Sequence, residues 1–314
     1  MLQDKQFRDG MYWVNIDSER LHEAETLYEK YGIDEEIIAY ALDKNERAHM
    51  DYDRETRTVL FVYNVLDLDA QNGENRTVPM TFVVQSERLI TISNSENAYV
   101  LELMKNYLEK QEDLVSVYTF LFASLELISK TYYSAIEKLD HTKNELNALL
   151  RKKTTKKNLY ALSDLELSII YLAEAAKQNG MLLDHIKGHL VYRNLDVVEQ
   201  EQFEDAMIEA HQLVAMTELI SLVLQNVSES YNTIINNTIN DNLTNLTIIS
   251  ILLAVIAVIT GFFGMNVPLP LTEDKNAWIY ICFGSILLWI IVAQFLKWVA
   301  IGAWDKIILS HKKS

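Results

Sequence analysis

Over residues 194–274 the chain carries no lysine or arginine. The same stretch holds Asp196, Glu199, Glu201, Glu204, Asp205, Glu209, Glu218, Glu229 and Asp241, and ends on Glu273 and Asp274. Helices of soluble proteins ordinarily mix both signs, because opposite charges four residues apart stabilise them. Purging the positive sign suits a path for cations, where a fixed lysine would raise the barrier to entry. A face for a basic partner is the plainer reading. The stretch is also rich in uncharged oxygen: Asn226, Asn232, Asn236, Asn237, Asn240, Asn242 and Asn245 come with Thr238, Thr244 and Thr247. Such oxygens accept hydrogen bonds from the water shell of a hard cation without stripping it. Elsewhere, His185 and His189 are spaced i,i+4, but Met181 and Arg193 stand where a third metal ligand would be needed, so they read as solvated histidines. No nucleophile–base set, phosphate loop or HExxH helix occurs, and no enzyme is expected.

These residues need elements to hold them. The only prolines are Pro79, Pro268 and Pro270, and between Gly73 and Gly261 only Gly180 and Gly188 interrupt. A stretch so poor in breakers predicts helix over most of residues 97–245. Apolar residues recur there at helical spacing, as in Val117, Phe120, Leu121, Leu125 and Ile128, which is ordinary core packing. Lys152, Lys153, Lys156 and Lys157 flank Thr154-Thr155 and mark a helix–helix turn. Residues 1–96 read as an α/β module. Met11–Asp17 alternates as a strand, Ser18–Tyr31 and Ile33–Leu42 as helices split by Gly32. Thr56–Asp69 and Met80–Ser93 are β-branched and aromatic, the latter turning at Gln85–Arg88.

The character then changes. Residues 246–263 (LTIISILLAVIAVITGFF) are uncharged and apolar, about 27 Å of helix and so close to a bilayer's hydrocarbon thickness. Residues 277–298 form a second such run with Trp278, Tyr280, Trp289 and Trp298 towards its ends. Residues 264–276 make a short loop between them, and 299–314 a tail. Lys297, Lys306, Lys312 and Lys313 against a lone Lys275 in the loop predict both termini in the cytoplasm of a plasma-membrane protein. No cleavable leader is expected at Met1–Lys5, and the single Cys282 points to a reducing compartment. A formal charge of −16 disfavours nucleic acid as a partner. The expected class is α+β: an α/β module, a helical stalk and two C-terminal spans.

Gly264-Met265-Asn266 closes the first span, and in that position the triplet resembles the hallmark of CorA-type Mg2+ channels, with Phe263 where the family usually has tyrosine. Tyr31-Gly32-Ile33 and the strand Val59–Val65 resemble the family's N-terminal domain, so the resemblance covers the whole chain. It implies a homopentamer in the lipid bilayer, passing Mg2+ inward, with Co2+ and Ni2+ as further cargo and no organic cofactor. It implies that the first span lines the pore through Asn240, Leu243 or Thr244, Thr247, Ile251 or Ala254, Ala257 or Val258, and Gly261. Leu243 and Leu246 become candidates for a hydrophobic gate, and Gly264, Met265 and Asn266 for the outer filter, with Asn266 and Asn240 meeting the ion. Two departures stand out. The family's regulatory metal site pairs two aspartates across subunits; one position falls on Asp205, its partner on Tyr40, with Asp43 one turn away. The family's loop glutamate is represented by Glu273 and Asp274 further on, where they would attract cations. A ZntB-like zinc transporter shares the architecture and is the nearest rival. A membrane-anchored structural or sensor protein is the rival from another class.

Overall fold

The computed structural model describes residues 3–8, 10–18, 24–68, 76–110, 116–152, 154–265 and 276–311. The chain forms two compact units, Met1–Ser228 and Glu229–Ser314.

The first unit is built on a six-stranded sheet: β1 (Gln3–Arg8), β2 (Met11–Asp17), β3 (His49–Asp53), β4 (Thr58–Asp67), β5 (Arg76–Gln85) and β6 (Arg88–Ser93). Its order is β1-β2-β6-β5-β4-β3, and only β2–β6 is parallel, from Tyr12↔Arg88 to Asp17↔Ser93. The β5–β6 hairpin turns where the sequence predicted. The edge strands β1 and β3 were not expected from the pattern.

Helices cover both faces. On one side α1 (Ala24–Tyr31) and α2 (Glu35–Leu42) pack Leu27, Tyr31, Ile33 and Ile37 on Val14, Ile16, Leu60, Val83, Ile90 and Ile92. Gly32, with φ +66°, ends α1: its N–H bonds to Tyr28 O at 2.9 Å, in the left-handed conformation that glycine adopts without strain. Asp34 then caps α2 by accepting from Ile37 N at 2.8 Å. The first predicted helix spans Ala24–Tyr31 among the described residues.

On the other side lie α3 (Ala98–Lys110), α4 (Val117–Lys152) and α5 (Lys156–Gly188). Trp13 meets Phe120 edge-on at 5.6 Å and donates to Thr91 Oγ1 at 3.1 Å. β4 is covered on both faces, which is why Val59–Leu66 is buried without alternation. The turn at Thr154-Thr155 is real: Thr155 caps α5 by accepting from Asn158 N at 3.3 Å.

Beyond the end of β3, Asn64 of β4 finds its backbone partners on helices. Its N–H donates to Asn179 Oδ1 at 2.9 Å, and its carbonyl accepts from Asn179 Nδ2 and Tyr132 Oη, both at 2.9 Å. These are buried groups that would otherwise lack partners. After the four-residue α6 (Leu190–Arg193) comes α7 (Val197–Phe263), one continuous helix of 67 residues, and then α8 (Ala277–His311). Asp196 and Glu199 start α7 with a reciprocal cap, each accepting from the other's backbone N–H at 2.8–2.9 Å. α8 runs on past the apolar residues 277–298, so residues 299–311 continue it as helix.

Candidate functional site

The carboxylates, amides and hydroxyls singled out between Glu199 and Thr247 all fall on α7, and Asp196 lies just before it. Within the second unit, Asp241, Ile248, Leu252, Val255, Ile259 and Phe263 are half-buried, at spacings of seven, four and three. Ile281, Ser285, Val292, Ala293 and Leu296 are their half-buried counterparts on α8. Ile259 and Phe263 share an apolar groove of 290 Å³ with Tyr280, Ile281, Gly284 and Leu288. This is the seam between the two apolar helices. No residue of either apolar window is buried, which the core hairpin of a soluble protein would require.

The predicted pore residues avoid that seam. Asn240, Leu243, Thr244, Leu246, Thr247, Ile251, Ala254, Ala257, Val258 and Gly261 are all exposed in the single chain. At about 100° per residue, Asn240, Leu243, Thr247, Ile251, Ala254, Val258 and Gly261 share one stripe roughly 80° wide, centred some 120° away from the seam. Thr244 lies about 60° to one side of its centre, and Leu246 and Ala257 about 80–100° to the other. Asp241, the carboxylate nearest the apolar run, belongs to the seam face rather than to the stripe.

The hydroxyls of α7 are turned into acceptors by the helix itself. Thr238 donates to Ile234 O at 2.9 Å, Thr247 to Leu243 O at 2.8 Å, Ser250 to Leu246 O at 2.8 Å and Thr260 to Ile256 O at 3.0 Å. With the proton committed to the i−4 carbonyl, the oxygen presents lone pairs outward. Such a surface accepts from water bound to a cation.

At the far end, Gly264 N bonds to Thr260 O at 2.9 Å and Met265 N to Phe262 O at 3.4 Å, tightening the last turn. A Cβ on Gly264 would sit 3.1 Å from Thr260 O, a few tenths of an ångström closer than ordinary contact. A Cβ on Gly261 would meet nothing within 4 Å of its own chain. Asn266, Glu273 and Asp274 lie outside the described residues.

The candidate regulatory residues are placed separately. Asp205 is exposed on α7. A lysine of its own chain lies within electrostatic reach: the ammonium of Lys130 is held above its ordinary pKa, first by its bond to Glu126, with Glu209 and Asp205 adding. Tyr40 donates its hydroxyl to Glu36 Oε1 at 3.1 Å and meets the His49 ring edge-on at 4.8 Å. Asp43 is exposed and accepts from Asn45 N at 2.9 Å. Among the described residues, no group of three or more His, Cys, Asp or Glu is placed to hold a metal within one chain. His189, expected to be solvated, is instead half-buried and caps α6, accepting from Val191 N at 3.3 Å. The Asn64–Asn179 clamp was also missed. Its signal was a lone amide inside the apolar strand Val62–Val65 and an amide pair, Gln178-Asn179, inside a helix.

A three-layer α/β domain continuing through one helix into two apolar, unburied helices defines a membrane protein with a large soluble domain, and its cation-free, acceptor-lined α7 places it among ion transporters. The sequence matches the family described as CorA-like Mg2+ transporter protein over residues 8–297, and the chain belongs to that family. Members are transporters of Mg2+ and other divalent cations rather than enzymes. The chain is 22% identical over 293 residues to the cobalt/magnesium transport protein CorA of Methanocaldococcus jannaschii, covering 91% of this chain and 90% of that protein. The complete structure of the CorA magnesium transporter from the same organism superposes with a TM-score of 0.74 at 19% identity, covering 95% of this chain and 92% of that one. The cytoplasmic domain of ZntB from Vibrio parahaemolyticus is a more distant fold match, with a TM-score of 0.53 at 11% identity over 74% of this chain and 88% of that one.

Proposed function

We propose that the protein passes Mg2+ passively into the cell, with Co2+ and Ni2+ as further cargo, through a homopentameric pore lined by α7. The observation that carries this reading is the α7 stripe: acceptor oxygens and small apolar residues, with no lysine or arginine from 194 to 274. Five copies would set five such stripes around an axis, with α8 outside against lipid. Mg2+ dehydrates reluctantly, so amide and hydroxyl oxygens that bind its water shell match it better than a carboxylate cage.

In this arrangement Asn240 and Thr247 meet the hydrated ion. Leu243, within the stripe, is a better placed gate than Leu246, and closes by dewetting. Gly261 would permit close approach of neighbouring helices, since its own chain leaves that side open. Gly264, Met265 and Asn266 form the outer filter, and Glu273 and Asp274 draw cations to it. Both termini are cytoplasmic. Asp205 is the regulatory position, and with Tyr40 in place of a carboxylate its Mg2+ affinity is weak.

The test is flux in liposomes reconstituted with purified protein. An imposed negative-inside potential should drive Mg2+ entry, with Co2+ and Ni2+ competing. Zn2+ entry without Mg2+ entry would support a ZntB-like zinc transporter instead. No flux of any divalent ion would leave a structural or sensor role.

A further inference from the structure

The turn that leads from α5 into α7 is capped by an imidazole. α5 ends at Gly188, and His189 closes it by donating its backbone N–H to Ile186 O at 2.9 Å. The side chain of His189 opens α6, its Nδ1 accepting from Val191 N at 3.3 Å. That bond requires a lone pair on Nδ1, so the proton of the neutral ring sits on Nε2. Adding a second proton would set an N–H against the N–H of Val191.

The surroundings disfavour that proton. The ring lies edge-on to Tyr52 of β3 at 5.6 Å, and 6.0 Å from the ring of His185 one turn back on α5. Arg54, in the turn pinned by Asp53 accepting from Glu55 N at 2.8 Å and Thr56 Oγ1 at 2.7 Å, brings a positive charge to the same place. The carboxylate that α7 brings to the joint is already engaged: Glu204 accepts from Lys187 Nζ at 3.0 Å and from Tyr192 Oη at 2.9 Å. Asp196 and Glu199 are committed to their own reciprocal cap. Burial first, then His185 and Arg54, hold the His189 pKa below its ordinary value.

We propose that His189 is a proton-sensitive joint: the neutral ring caps α6, and protonation releases the cap and loosens α6, the short turn that leads into α7. The sign follows from the cause. A histidine that binds protons less readily folded than unfolded leaves the joint intact above the ordinary value of about 6.5 and costs stability as pH falls below it.

Amide hydrogen exchange of the full chain in lipid nanodiscs, corrected for intrinsic pH dependence, reads this directly. Protection over residues 191–195 should fall between pH ~7.5 and ~5.5, by at most about ten-fold. His189→Asn keeps a side-chain oxygen that can cap but cannot titrate, and should abolish the pH response while retaining protection. His185→Gln removes the neighbouring imidazole that helps disfavour a proton on His189 and should move the midpoint to higher pH. A flat wild-type profile overturns the proposal, as does an unchanged pH response in His189→Asn or an unmoved midpoint in His185→Gln.

Discussion

Asparagine does opposite work in the two halves of this chain. In the first unit Asn64, Asn97 and Asn179 are buried and fully engaged: Asn179 bridges both backbone groups of Asn64, and Asn97 ties Asn94 N at 2.8 Å to Pro79 O at 3.3 Å. On α7 the side chains of Asn232, Asn236, Asn237, Asn240, Asn242 and Asn245 are exposed. A buried amide must find partners for both its oxygen and its nitrogen within the protein and so becomes a structural pin. An exposed amide on a helix face keeps both for water. Residue type alone does not distinguish the two roles; what surrounds the side chain does.

Substitutions at the two kinds of site should therefore fail in different ways. The largest expected effect is at the proposed filter: Asn266→Ala should reduce Mg2+ flux to background while the protein still assembles and inserts, read by liposome uptake beside size-exclusion elution. Next comes the buried pin. Asn179→Leu leaves the N–H of Asn64 without its acceptor and should destabilise the soluble unit by about 2–3 kcal/mol, seen as a lower midpoint in thermal unfolding. Asn232→Leu, exposed on α7, should leave that midpoint unchanged, and equal losses at both positions would erase the contrast. The smallest effect is at Thr247. Thr247→Val keeps the shape but removes an outward acceptor worth about one weak hydrogen bond, so flux should fall roughly two- to five-fold with stability unaltered.

How much of this could be read from the sequence follows the same division. β2 begins and ends at the predicted residues, Met11 and Asp17, because buried Val14 and Ile16 alternate with the less buried Asn15 and Asp17. The turn at Thr154-Thr155 was legible because a capping hydroxyl interrupts two apolar periodicities. β3 was not legible: of His49–Asp53 only Met50 is buried, and an edge strand with polar neighbours has no pattern to show. The role of His189 was equally hidden, since a cap at a bend depends on which nitrogen faces which backbone N–H. α8 continues past its apolar residues because helix needs only backbone hydrogen bonds and tolerable propensity, whereas hydropathy registers only the part that suits lipid. Which residues share a face with Asn240 could be drawn from helical period alone, whereas a pore on that face was what the family resemblance implied. The separation of that face from the α8 seam needed the second helix in place.

The central claim is that the stripe through Asn240 faces the ions. In a pentamer, one lysine there becomes a ring of five positive charges. At roughly 10 Å and an effective dielectric near 20, each repels a divalent ion by about 3 kcal/mol before screening. Screening over a Debye length of ~8 Å weakens this without removing it. Even a fraction of the sum exceeds the roughly 1.4 kcal/mol that corresponds to a ten-fold change in rate. Potential-driven Mg2+ uptake by Asn240→Lys and Asn240→Asp proteins, matched for expression and reconstitution, is the direct measurement. The account predicts at least a roughly ten-fold loss for lysine and retained or increased uptake for aspartate. Equal uptake through the two would contradict it and take the α7 stripe off the ion path.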